Sequence, residues 1–92
     1  MTEKIEISLL GKTLQVTAPD EKEVRHLQAA ARALDAKLQT IRTQNQTMPT
    51  ERIAIMAALN IMHELLSTQK EKQELEQAIK SSLNRIQELA DA

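Results

Sequence analysis

The sequence predicts a mostly helical α+β chain. An N-terminal β-hairpin and a helix make a small head, and a long C-terminal helix forms an intermolecular coiled coil. Three observations predict it. Apolar and polar residues alternate over residues 4–17, an apolar seam with helical spacing runs from Val24 to Ile41, and neither Gly nor Pro interrupts residues 50–92. Period-two alternation marks a half-buried strand, whereas spacings of three and four mark one helix face.

The hairpin comes first. Ile5, Ile7 and Leu9 alternate with Lys4, Glu6 and Ser8, and Leu14 and Val16 alternate with Thr13, Gln15 and Thr17. Gly11-Lys12 between them suits a type II′ turn, because glycine accepts positive φ without a Cβ clash. A two-stranded hairpin is marginal alone, so its apolar face needs a helix or a partner's sheet. Asp20 is placed to cap the first helix, residues 20–43, and Glu23 three residues on completes a capping-box pattern. Val24, Leu27, Ala31, Leu34, Leu38 and Ile41 then form the seam. A polar loop ends at Pro49, where Thr50 is the expected N-cap of the second helix and Glu51 sits in its first turn.

That second helix changes character along its length. Residues 53–66 are apolar nearly all round, so burial is expected on several sides of the helix, that of Asn60 included. Further on, Leu75, Ile79, Leu83, Ile86 and Leu89 form a narrower stripe among charged residues, after a polar interruption at Thr68, Gln69 and Lys72. A helix on the order of 60 Å long with so narrow a stripe needs a partner helix from another chain. The expected division is a head over residues 1–66 and a coiled-coil extension over residues 67–92. The long helix begins at residue 50, inside the head.

Composition points the same way. With 92 residues and no Phe, Tyr, Trp or Cys, the chain has neither aromatic bulk nor disulfides to reinforce its core. Self-association is the remaining support. Met48, Met56 and Met62 read as gap-fillers in an aromatic-free core. The apolar part of the long helix, with Ile53, Met56, Leu59, Asn60 and Ile61, is the expected head-dimer interface. Leu75, Ile79, Leu83, Ile86 and Leu89 are the expected coiled-coil interface.

Several functions are disfavoured. Twelve basic against thirteen acidic side chains, with no aromatic for base stacking, argue against nucleic-acid binding. The longest apolar run is too short to cross a bilayer, and the start lacks the apolar core of a signal peptide, so a cytoplasmic location is expected. His63-Glu64 lacks the second histidine of a zinc-protease motif, since Ser67 stands there. No catalytic residue, metal ligand or cofactor is assigned, and the chain reads as a non-enzyme.

The hairpin with Leu10-Gly11-Lys12, the helix with Ala29-Ala30-Ala31, Leu34-Asp35 and Leu38, and above all Thr50-Glu51-Arg52-Ile53-Ala54-Ile55-Met56-Ala57-Ala58-Leu59-Asn60-Ile61 followed by Glu64-Leu65 together resemble the bacterial cell-division proteins of the ZapA family. The resemblance covers the whole chain. It implies binding to FtsZ, bundling of FtsZ filaments and stabilisation of the division ring at midcell. It also implies a homodimer through the heads and a tetramer built as a dimer of dimers. Candidate partner-binding residues are Lys12, Lys37, Arg42, Glu51 and Arg52, for which ordinary solvation and helix-end electrostatics are the competing explanation. A prefoldin-like chaperone or a generic coiled-coil adaptor is the alternative function.

Overall fold

The computed structural model describes residues 2–91. Strands β1 (Glu3–Leu9) and β2 (Lys12–Ala18) pair antiparallel, and helices α1 (Glu21–Gln44) and α2 (Thr50–Asp91) follow. The fold is the mostly helical α+β arrangement expected. Cross-strand partners Ile5 with Val16 and Ile7 with Leu14 share one face of the hairpin. The other face carries Lys4, Glu6, Ser8, Thr13, Gln15 and Thr17, all exposed. Both strands pack on α1.

The turn differs from the expected one. Leu9 pairs with Lys12, so the two turn residues are Leu10 and Gly11, at φ +51° and +76°. Positive φ at both positions is the type I′ pattern, whose twist matches a hairpin better. Asn-Gly is the usual solution, because a branched side chain in this region costs about 1 kcal/mol or more. Leu10 is held there by two attachments. Its side chain packs against the core, and its N–H donates to Asp35 Oδ1 on α1 at 2.8 Å. Gly11 has open space around it, so Gly11→Ala is expected to cost about 1–2 kcal/mol through backbone strain alone. Urea unfolding with an unchanged m-value would check this.

Helix α1 begins as its sequence suggests. Asp20 is the N-cap, and its Oδ1 accepts from the Glu23 N–H at 2.9 Å. At the far end Asn45 closes the helix, its backbone N–H donating to the Ile41 and Arg42 carbonyls at 3.0 and 3.2 Å. The Asn45 side chain adds a 3.1 Å bond to Ile41 O, and Met48 N–H donates to Asn45 O at 3.0 Å. These bonds turn the chain into α2. The first helical bond of α2 runs from Ile53 N–H to Pro49 O at 3.1 Å. Pro49 therefore occupies the cap position, and Thr50, expected there, is the first helical residue.

The core is small. Leu38, Ile53 and Ala57 are 5%, 0% and 1% exposed, with Leu9, Leu10, Leu34, Ile41 and Met48 packed around them. Ala18, at the end of β2, is also fully buried. Two compact units divide the chain, one ending at Ala58 and the other beginning at Leu59. From Leu59 to Asp91 only Ile61 is even half-buried.

Candidate interaction surfaces

The loop joining α1 to α2 gathers three of the candidate binding residues. Arg42, in the last turn of α1, donates through Nη2 to Thr50 Oγ1 at 2.8 Å. That bond is partly buried, so the Arg42 guanidinium fastens the two helices together. Its charge still favours the carboxyl end of α1. Glu51 and Arg52 are exposed in the first turn of α2. Arg52 borders a shallow open hollow with residues 44–49. Lys12 is exposed at the hairpin tip, and Lys37 is half-buried on α1 and engaged in a polar interaction. The most accessible charges of the set are therefore Lys12, Glu51 and Arg52.

The expected dimer seam needs one correction. Ile53 is fully buried against Leu38 and Ala57, so it presents no surface to a second chain. Helical spacing explains this: Ile53 and Ala57 are four apart and share the face turned to the head's own core. A neighbouring face is bare. Ile55 and Leu59 are 61% and 71% exposed, and Met56, Met62, Leu65 and Leu66 are also exposed. Ile55, Leu59, Met62 and Leu66 recur at spacings four, three and four, a heptad-like seam. Ile55, Met62, Leu65 and Leu66 were not among the expected interface residues, because in so apolar a stretch spacing alone does not say which row the head's own core covers. Asn60, expected to be buried, is exposed in the single chain and engaged in a polar interaction. Ile61 is half-buried.

In the unit from Leu59 onward, Leu75, Ile79, Leu83, Ile86 and Leu89 are all more than half exposed. Leu75 and Ile79, and Ile86 and Leu89, fall on one heptad frame with Ile61 and Leu65. Thr68, Lys72 and Ser82 are its polar members. Polar residues at such positions reduce coil stability but fix register. Exposed apolar rows of this length on a helix normally mark a protein–protein contact. His63 is exposed on this helix, while His26 lies on α1 with Nδ1 3.9 Å from Glu23 Oε1. Among the described residues, no cluster of three or more His, Asp or Glu could hold a metal ion, and no helix is long and apolar enough to cross a membrane.

Residues 5–92 match the sequence pattern of the family described as cell division protein ZapA. The chain belongs to the ZapA family. The cell division protein ZapA of Pseudomonas aeruginosa PAO1 is 38% identical over 85 residues, which cover 92% of this chain and 78% of that protein. ZapA of Pasteurella multocida Pm70 is 31% identical over 88 residues, covering 96% and 84%. Among solved structures, one described as an unknown conserved bacterial protein from Pseudomonas aeruginosa PAO1 superposes with a TM-score of 0.66 at 36% identity, covering 96% of this chain and 92% of that one. A mutant ZapA dimer from Geobacillus stearothermophilus gives 0.65 at 18% identity, covering 87% and 91%. At that identity the likeness concerns fold alone. The family assignment agrees with the resemblance read from the hairpin, α1 and the start of α2, which covers the whole chain. This is a ZapA-type chain with two exposed apolar rows on α2 and a charged connection between its helices.

Proposed function

We propose that this chain is a cell-division accessory protein that binds FtsZ filaments and cross-links them, stabilising the division ring in the cytoplasm at midcell. The observation that carries the reading is the pair of uncovered apolar rows on α2, residues 55–66 and residues 75–89. One row suffices to pair two heads. A second row, on residues that build no part of the head's core, joins pairs into a tetramer. In functional terms the head extends to residue 66, because residues 59–66 gain their cover from a second head, and residues 67–92 are the coil. Several heads on one body multiply a weak contact through effective concentration, as filament bundling requires.

The filament contact is assigned to the exposed charges around the hairpin tip and the helix connection: Lys12, Glu51 and Arg52, with Lys37 and Arg42 at their margin. Arg42 has a second duty in the loop, so its removal perturbs structure as well as charge. The cleaner probe is Lys12→Glu with Arg52→Glu. Exposed rim charges act mainly on association rate and salt dependence. The double variant is expected to co-sediment several-fold more weakly with FtsZ polymers, to lose most of its sensitivity to added salt, and to keep its oligomeric mass. Unchanged binding and unchanged salt response would remove these two residues from the contact.

A further inference from the structure

The hairpin tip is built more firmly than a loop of this size requires. Leu10 sits at φ +51° where glycine or asparagine is the economical choice, and such an outlier persists only when its surroundings determine it. Asp35 supplies part of that determination across 25 residues of sequence, accepting the Leu10 N–H in a partly buried 2.8 Å bond. The Leu10 side chain supplies the rest by packing on the core. Beyond this anchor the tip stands free. A side chain added at Gly11 would meet nothing within 4 Å, and Lys12 is exposed directly after it. The arrangement fixes the direction in which the tip is presented while leaving its surface uncovered.

We infer that Asp35 is the positioning residue for the hairpin tip, holding Lys12 in the orientation in which the head meets its filament partner. This rests on the reading that the head binds FtsZ, and it adds a residue that need not touch FtsZ itself. The bond needs an acceptor at Oδ1 and no charge. Asp35→Asn therefore keeps it and Asp35→Ala removes it.

Two measurements on the full chain separate the clamp from the partner. Amide hydrogen exchange at Leu10 reports the bond without any FtsZ. Asp35→Ala is expected to speed it at least tenfold while the α1 amides keep their protection, and Asp35→Asn is expected to restore slow exchange. Co-sedimentation with FtsZ polymers reports the consequence. Asp35→Ala is expected to weaken binding as much as Lys12→Ala does, and Asp35→Asn to recover it. The double variant Asp35→Ala, Lys12→Ala is expected to be no worse than either alone, because Asp35 acts through Lys12. Unchanged Leu10 exchange in Asp35→Ala would overturn the clamp. Lost protection with normal FtsZ binding, or additive losses in the double variant, would overturn the positioning role. If Asp35→Ala loses helical signal, the inference stands or falls on Asp35→Leu, a good helix former of similar shape that offers no acceptor to the Leu10 N–H. It predicts folded protein with weakened binding, and normal binding would overturn it. Wild-type protein that ignores FtsZ would overturn the functional reading and the positioning role with it, leaving Leu10 exchange to judge the clamp alone.

Discussion

Replacing Ile86 by glutamate is expected to reduce a tetramer to dimers and to abolish FtsZ bundling, with the head still folded. Ile79→Glu is expected to do the same. Both side chains are more than half exposed in the single chain, so neither contributes to the head's core. In a paired coil each sits on the seam, where a carboxylate is buried without a partner at a cost of at least several kcal/mol. The seam has little surplus to absorb this. It holds few apolar side chains and carries Thr68, Lys72 and Ser82 on the same frame. Light scattering on purified protein would give the mass, and electron microscopy of FtsZ polymers would give the bundling. A variant that stays tetrameric would take this row out of the assembly. A dimer that bundles normally would take the tetramer out of the mechanism.

The second large effect separates two neighbours on α2. Ile53→Ala is expected to cost about 3 kcal/mol, because Ile53 is fully buried and its removal leaves a cavity in a core of very few residues. For a domain of this size that lowers the melting temperature by roughly 15 °C. Leu59→Ala, only six residues on and 71% exposed, is expected to leave the single chain's own packing unaffected. Its loss falls on pairing, so the stability of Leu59→Ala depends on protein concentration. Thermal melts at two concentrations a hundredfold apart distinguish the cases. Equal melting of the two variants at high dilution would mean that the assignment of core and interface on this helix is wrong.

That contrast also shows where sequence reading stopped. Periodicity located both strands, the α1 seam and the uninterrupted α2, because each is a local pattern that burial on one face imposes. It could not orient residues 53–62. Where nearly every side chain is apolar, spacing does not say which row meets the chain's own core, and that depends on the place of Leu38 in another helix. The same limit applies at the turn. Gly11 announced a hairpin, but whether Leu10 or Lys12 accompanies it was decided by Asp35 and the core, far away in sequence. Arg42 read as a surface cation, and its bond to Thr50 became visible only once the loop was closed. The charged candidates share this weakness. Solvated and partner-facing cations look alike in sequence, and the fold distinguishes them only by showing which already have work inside the chain.

The most direct test of the central claim is right-angle light scattering from FtsZ polymers as the purified chain is added, with pelleted material assayed for both proteins. A multivalent cross-linker is expected to raise scattering well beyond the added mass and to appear in the pellet with FtsZ, and Ile86→Glu is expected to bind without raising scattering. Wild-type protein that stays in the supernatant and leaves scattering unchanged would contradict the account.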